Sequence, residues 1–182
     1  MNTRTITTSA LFVAVMAICS WISIPIPGTA VPINLGTFGV IMTGYVLGKR
    51  NGVISVIIFL LLGAVGLPVF HGFTGGIGIL LGPTGGFLIG YIALAFSSGM
   101  ASELSDRFSI KKIPSYVLSV LIGEIILYAA GVMYFMTLTK ASLTAALLAC
   151  VLPFLVGDGV KMFFAYIIGE RILVLEHVNC TK

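Results

Sequence analysis

The sequence has few charged residues: Asp, Glu, Lys and Arg make up 9% of it, against about 25% in a typical soluble domain. In addition, 58% of the residues are hydrophobic and the mean hydropathy is +1.15. Together these values exclude an ordinary water-soluble domain. The net charge of +4 does not indicate nucleic-acid binding, since the basic residues fall in short segments between apolar runs. We expect residues 1–182 to form a single integral-membrane domain.

Residues suited to catalysis or metal binding are also scarce. The three cysteines form no disulfide framework, and each is predicted to be unpaired. The two histidines, His71 and His177, are interpreted as incidental residues of a loop and of the tail. No serine or cysteine has a base at a recognisable spacing, and too few acids lie near the apolar runs to hold magnesium. We therefore predict no catalytic site, no metal site and no nucleotide or other cofactor site in this chain.

Six apolar runs are candidates to cross a bilayer, which takes about 20 helical residues. The predicted spans are residues 8–24, 36–47, 53–68, 83–102, 113–136 and 153–174. Pro25 and Pro27 end the first span, and the proline-broken connection over residues 25–34 follows it. A tight basic turn is expected at residues 48–52 and a polar turn at residues 103–112. Residues 140–152 are predicted to form a short outer helix that leads into the last span.

Basic residues indicate the orientation of the spans. With the N-terminus inside the cell, nearly all the basic residues outside the apolar runs fall on the cytoplasmic side, as the positive-inside rule requires. They are Arg4, Lys49, Arg50, Arg107, Lys111, Lys112, Arg171 and Lys182. The sequence therefore predicts a multi-pass protein of the cell membrane with both termini in the cytoplasm.

Two opposite charges lie inside the last apolar run. Asp158 and Lys161 are three residues apart, so on a helix they share a face and partly offset each other's desolvation. Pro153 suits the first position of that helix, which would place Asp158 about one and a half turns below the outer end. Charged groups at membrane depth usually face a bundle interior or a cavity. The pair is interpreted as part of a pocket for a polar ligand; the alternative is a structural ion pair between two helices.

Glycines crowd residues 71–86, which allows positive φ angles and close backbone approach to a ligand. Two interpretations compete: a flexible outer loop, or a compact lid whose backbone groups line a pocket. We favour the lid, because long loops inside compact domains tend to be functional. The next span carries Gly82, Gly86 and Gly90 on one predicted packing stripe, and Phe87 and Tyr91 flank that stripe, where they can present rings to a cavity.

These motifs, taken in order, resemble those of one transporter family. Gly66-Leu-Pro-Val-Phe70, the Thr-Gly-Gly-Ile-Gly run at 74–78, Gly82-Pro-Thr-Gly-Gly86 and Gly157-Asp158 with Lys161 are similar to segments of the biotin-specific substrate-capture (S) components of energy-coupling factor (ECF) transporters, the BioY family. Pro25-Ile-Pro-Gly and Val31-Pro-Ile also fit. The likeness extends from the first helix to about Lys161.

The resemblance implies an all-α ECF S-component fold with six transmembrane helices that binds biotin near the outer face. It also implies partners, namely a transmembrane coupling subunit and two cytoplasmic ATPase subunits. Ala10 and Ala14, one turn apart, match the family's contact with the coupling subunit. We expect Asp158 and Lys161 to bind the ureido group of biotin, and the partner of its carboxylate stays open. The other expected ligand contacts are Phe73, Thr74, Gly75, Phe87 and Tyr91.

Two other functions remain as alternatives. Glu124 is an acid in the middle of a span and is predicted to be either hydrogen-bonded within the bundle or protonated. If it serves as a proton site, the chain is a stand-alone ion-coupled permease. It is a membrane enzyme if Asp158 acts as a general base and Lys161 as an electrostatic stabiliser.

Overall fold

The computed structural model of the protein describes residues 3–24, 32–109 and 111–180. Most of these residues are helical. The helices are α1 (Thr3–Trp21), α2 (Gly36–Val65), α3 (Ile77–Leu80), α4 (Gly85–Gly99), α5 (Ala101–Phe108), α6 (Lys112–Thr139), α7 (Leu143–Cys150) and α8 (Leu155–Cys180). A 3₁₀ turn, His71–Phe73, lies between α2 and α3, and a short antiparallel pair, β1 (Ser23–Ile24) and β2 (Ile33–Asn34), follows α1. Most of the predicted connection over residues 25–34 lies outside the described residues.

The long helix α2 folds back on itself at Gly48. This glycine has φ 75° and ψ 166°, which is not helical. A Cβ added at Gly52 would lie 2.8 Å from the Cα of Gly44, whereas positions eight residues apart in a straight helix are about 12 Å apart. Two antiparallel arms, 36–47 and 49–65, therefore meet in the turn, and the second arm ends where Gly66 adopts a left-handed conformation.

The polar segment 103–112 is largely helical, so the prediction of a turn there is wrong. Helix α5 occupies Ala101–Phe108, with Glu103 in its first turn and Arg107 in its last. Both charges complement the helix dipole, which favours a short helix in a polar sequence. The helix ends at Ser109, whose φ of 52° is left-handed.

The last helix also begins later than predicted. Pro153 lies in a turn between α7 and α8, and α8 starts at Leu155. The backbone N–H of Asp158 donates to the Phe154 carbonyl at 2.8 Å, so Asp158 stands in the first turn of α8. Helices α7 and α8 are bent by 44° relative to each other. The predicted short helix within residues 140–152 is present as α7.

Small residues bring the central helices close together. A Cβ at Gly86 would lie 2.8 Å from the Ala130 carbonyl oxygen, and one at Gly90 would lie 3.0 Å from the Cα of Leu127. Helices α4 and α6 therefore pack with their backbones nearly in contact. Gly82 does not belong to this contact, since it precedes α4 and a Cβ there would meet only Gly78 and Ile79 of its own segment.

The outer surface of the bundle is apolar. Large hydrophobic side chains on four helices are largely exposed, for example Leu11, Leu61, Ile125 and Phe163. Four helical segments are long and apolar enough to cross a membrane, namely Thr3–Trp21, Gly36–Val65, Gly85–Phe108 and Lys112–Thr139, and the bent pair α7–α8 makes a fifth. The protein is therefore an all-helical, multi-pass membrane protein. The six spans with their bounds and the cytoplasmic termini stay predictions.

Candidate functional site

The two charges in α8 form a buried ion pair. Lys161 Nζ lies 2.8 Å from Asp158 Oδ1, and the two residues are only 7% and 4% exposed. One helical turn separates them, so the helix itself holds the ammonium beside the carboxylate. Burying two charges costs several kcal/mol each, and good mutual geometry with additional hydrogen bonds is needed to offset that cost.

Side chains from two other helices supply those hydrogen bonds. The Tyr128 hydroxyl, from the middle of α6, donates to Asp158 Oδ2. The Thr37 hydroxyl, from the first turn of α2, accepts from Lys161 Nζ at 3.1 Å and lies 3.4 Å from Asp158 Oδ1. Three helices thus meet at the ion pair, and each oxygen of the Asp158 carboxylate has a donor.

A cavity opens beside the pair. The cavity volume is about 60 Å³, enough for a few water molecules. Its aromatic lining comes from α4, α6 and the turn before α8, and consists of Phe87, Tyr91, Tyr128 and Phe154. Its polar lining consists of Asn34, Thr37, His71, Thr84, Asp158 and Lys161. Apolar walls with a few convergent polar groups are typical of small-molecule sites.

A second cavity, of about 190 Å³, lies beside α5 and the later turns of α8. The Tyr45 hydroxyl donates there to Glu170 Oε1 at 2.5 Å. Two other charged residues that line this cavity, Asp106 and Lys112, are exposed. Since solvent screens such charges, the smaller cavity with its buried ion pair is the better candidate for specific recognition.

Four of the seven predicted ligand contacts line the cavity together: Asp158, Lys161, Phe87 and Tyr91. The other three predicted contacts, Phe73, Thr74 and Gly75, are not among its lining residues. Phe73 is 63% exposed and stacks on Trp21, with ring centroids 4.8 Å apart. The Thr74 hydroxyl donates to the His71 carbonyl, and a Cβ at Gly75 would collide with Leu67. A ligand role for these three stays a prediction.

The glycine-rich segment is compact, as the lid interpretation expects. The Phe70 ring is fully buried against Gly63, and the Gly76 N–H donates to the Gly63 carbonyl at 2.7 Å. On the other side, the Phe73 ring of the segment stacks on Trp21 of α1, and Trp21 Nε1–H donates at 2.7 Å to the carbonyl of Pro68, three residues before the segment. These contacts tie the segment to α1 and α2, and they leave two of its residues, His71 and Thr84, in the cavity wall.

Sequence reasoning missed several residues of the site. It interpreted His71 as incidental, whereas the structure places this half-buried residue in the cavity wall, and burial lowers the pKa of its imidazole. It did not single out Thr37, Asn34, Thr84 or Tyr128. No local signal identifies them, except that Tyr128 lies one turn after Glu124 in α6 and so shares its helix face.

Glu124 lies near the pair without forming part of the cavity wall. The electrostatic influence of Asp158 and Lys161 reaches it, yet its Oε1 atom is buried and has no hydrogen-bond partner in the described ranges. The lack of a partner for Oε1 does not fit the prediction that Glu124 is hydrogen-bonded within the bundle. Within the described part of the chain no group of three or more His, Cys, Asp or Glu residues is arranged to hold a metal ion. Cys19 and Cys150 are free, as predicted.

The two alanines predicted to contact a partner are both exposed. Ala10 and Ala14 lie on one side of α1, while Phe12, Val13 and Met16 of the same helix are buried in the core. The exposed side of α1 therefore presents these two small side chains next to larger exposed ones such as Leu11 and Ile18.

The helices and the cavity place the chain in one class: a multi-pass membrane protein with a buried ion pair beside an aromatic-walled cavity. Comparison with known proteins specifies it further. The model of the BioY family matches residues 1–176, and the chain belongs to this family, as its motifs predicted.

Relatives and a solved structure agree with this membership. The chain is 37% identical to a "Biotin transporter BioY" of Thermotoga maritima over 173 residues, 95% of this chain and 98% of the relative. It is also 37% identical to a "Biotin transporter BioY" of Rhizobium etli over 179 residues, 96% and 95% of the two chains. A crystal structure described as the S-component for biotin from an ECF-type ABC transporter superposes with a TM-score of 0.82 at 30% identity, covering 94% of both chains. These relatives are named as transporters, not enzymes.

Proposed function

We propose that this chain captures biotin as the substrate-binding S subunit of an ECF-type uptake transporter. The observation that carries the proposal is the buried Asp158–Lys161 pair, which lines an aromatic-walled cavity in a chain of the BioY family. A buried pair that served only to join helices would not require an open cavity beside it.

The chemistry of biotin fits this cavity. Its ureido ring carries two N–H donors and one carbonyl acceptor, which a carboxylate and an ammonium on one face complement. Asp158 accepts from a ureido N–H, and Lys161 donates to the ureido carbonyl. The fused bicyclic ring is apolar on its faces and packs against Phe87 and Tyr91, both in the cavity wall.

The chain's place in the membrane follows from the charge bias of its loops. Six spans with both termini in the cytoplasm place the start of α8, and with it Asp158, toward the outer side of the cell membrane. Biotin is then captured from outside. The two arms of α2 count as two of the six spans, because the chain reverses at Gly48.

Energy for uptake comes from partner subunits, because this chain needs no cofactor, metal or nucleotide of its own. Two cytoplasmic ATPases act through a transmembrane coupling subunit, which packs against α1 at Ala10 and Ala14. Small exposed residues one turn apart let a second helix approach closely.

The binding claim is tested by isothermal titration calorimetry of the purified chain in lipid nanodiscs. Biotin should bind at one site per chain with high affinity. Absence of biotin binding, with clear binding of a different vitamin, would reject the substrate.

Uptake assays separate the transporter types. Biotin uptake by cells that express the coupling module should require ATP hydrolysis by that module. Uptake by this chain alone that collapses with the proton gradient would favour the stand-alone permease instead. Substrate turnover by the purified chain would favour the membrane enzyme.

The docking claim is tested with Ala14→Trp. This change should leave biotin affinity unchanged and lower module-dependent uptake, because the indole holds the two helices apart. Ile125→Trp is a matched control on α6, where the native side chain is 67% exposed. Equal loss of uptake in both variants would indicate a general effect of bulk at the lipid-facing surface.

A further inference from the structure

One end of the cavity lies at the Asp158–Lys161 pair, and the ligand's carboxylate needs a partner away from this pair. The Asp158 end is crowded with polar groups: the ion pair itself, Thr37 and Tyr128. Tyr91 also belongs to this end, because its hydroxyl lies close to Gly36, the residue before Thr37. A Cβ added at Gly36 would lie 2.5 Å from that hydroxyl. Among the described residues at this end the only cation is Lys161, which is already paired with Asp158.

Two more polar residues of the cavity wall, Thr84 and His71, come from outside the long helices. Thr84 stands immediately before α4, and Tyr91 follows it by seven residues, which is about 10 Å along the helix axis. Thr84 therefore enters the cavity wall about two helical turns before Tyr91. His71, in the 3₁₀ turn of the lid, lines the same cavity.

His71 is the one residue in the described cavity wall, apart from Lys161, whose side chain can carry a positive charge. Its ring makes no hydrogen bond to any residue within the described ranges, so its N–H and lone pair are open to a ligand. The Thr84 hydroxyl does not cap α4, and it too is open to a ligand. With the ureido group at Asp158, these two side chains are available to the acid group of the same ligand.

We infer that His71, assisted by the Thr84 hydroxyl, binds the carboxylate of the ligand and so makes the site selective for the acid over its neutral amide. This inference rests on the proposed function, since it assumes that a ureido acid is the ligand. It assigns the carboxylate partner that the sequence motifs leave open. It also explains why the glycine-rich lid is compact, because the lid then carries the group that recognises the ligand's charge.

The test compares biotin with biotinamide, which keeps the ureido ring and the chain but has no negative charge. Calorimetry in nanodiscs gives Kd for each ligand on the wild-type chain and on His71→Gln. The wild-type protein should prefer biotin by about 10- to 100-fold, the range that one charge-assisted hydrogen bond supports. His71→Gln should lose most of this preference by weakening biotin, while its affinity for biotinamide stays near that of the wild type. His177→Gln, a change of the chain's other histidine, is the matched control and should behave as the wild type.

The pH dependence provides a second measurement. Burial lowers the pKa of His71, so the free protein favours the neutral imidazole, and a bound carboxylate favours the protonated form. Binding then takes up a proton, and biotin affinity should rise as the pH falls from 8 to 6. The other titratable groups in the wall are Asp158, Lys161, Tyr91, Tyr128 and Cys150. They face both ligands, so the difference between biotin and biotinamide isolates His71.

The outcomes separate this inference from the proposed function. Equal weakening of biotin and biotinamide in His71→Gln would mean that His71 only supports the lid, and unchanged preference would mean that another group binds the carboxylate. Either result overturns the inference while biotin binding stands. If the wild-type chain binds neither ligand, the proposed function fails and this inference fails with it.

Discussion

Two ion pairs in this protein have nearly the same geometry and opposite surroundings. Lys161 and Asp158 are 2.8 Å apart with side chains 7% and 6% exposed, whereas Lys49 and Glu103 are 2.6 Å apart with side chains 40% and 55% exposed. The exposed pair joins the turn of α2 to α5 across the surface. The buried pair lies among three helices and lines a cavity.

The distance between the two charges therefore does not indicate how much an ion pair contributes to stability. In water the attraction between two charges is largely screened, and exposed pairs contribute about 0–1 kcal/mol. In a buried site each partner depends on the other, so removing one leaves an uncompensated charge that costs about 3–5 kcal/mol. Charges buried at membrane depth are rare, which is why we propose that the buried pair belongs to the ligand site.

Asp158→Asn should break the buried pair most severely. The amide replaces part of an acceptor by a donor, which opposes a ureido N–H, and Lys161 loses its counter-ion. Biotin affinity should fall by about 10- to 100-fold or more, as calorimetry measures. Lys161→Met is the companion variant. If both variants lose thermal stability but keep normal biotin affinity, the pair is purely structural.

Tyr128→Phe should have a smaller effect on the same pair. It removes the hydroxyl that donates to Asp158 Oδ2 but leaves Lys161 and Thr37 in place. We expect biotin affinity to fall by about 5- to 20-fold, less than the full loss of a hydrogen bond to a charged group, because Lys161 and Thr37 still hold the carboxylate. Tyr134→Phe is the control on the same helix, because Tyr134 does not line this cavity. A similar loss in both variants would point to general loosening of α6.

Glu124→Gln tests whether a nearby acid without a salt bridge behaves like either pair. Lys161 is bonded to Asp158, and no salt bridge to Glu124 is found among the described residues. The amide keeps the shape of the side chain, so biotin affinity should change by less than about threefold. A tenfold loss in calorimetry would show that the charge state of Glu124 governs the site, and would revive the ion-coupled permease.

Glu103→Gln should have the smallest effect. It breaks the exposed pair with Lys49, and the free energy of unfolding should change by at most about 1 kcal/mol, less at high salt. Biotin affinity should not change. Thermal unfolding at low and high salt, beside calorimetry, checks both expectations. A loss as large as that of Asp158→Asn would mean that burial does not distinguish the two pairs.

Much of the site was predictable where local sequence carries the signal. Asp158 and Lys161 stand out because charges inside an apolar run are costly, and their spacing of three predicts the shared face that the ion pair shows. Phe87 and Tyr91 were found from their position beside a glycine stripe. Phe73 was expected in the site for its aromatic ring, but the structure stacks it on Trp21 outside the cavity wall. Composition and proximity along the chain do not indicate which way a loop side chain points.

The membrane class, the family and the ion pair could be predicted from the sequence, because hydropathy, ordered motifs and helical spacing are properties of short stretches of the chain. The tertiary structure was needed to show that Thr37, Tyr128 and His71 line one cavity together with that ion pair. These three come from α2, α6 and the lid, and they meet because glycine contacts such as Gly86 and Gly90 bring the helices together and because Trp21 and Gly63 hold the lid in place. Contacts between segments far apart in the chain depend on packing, which no short stretch of sequence specifies.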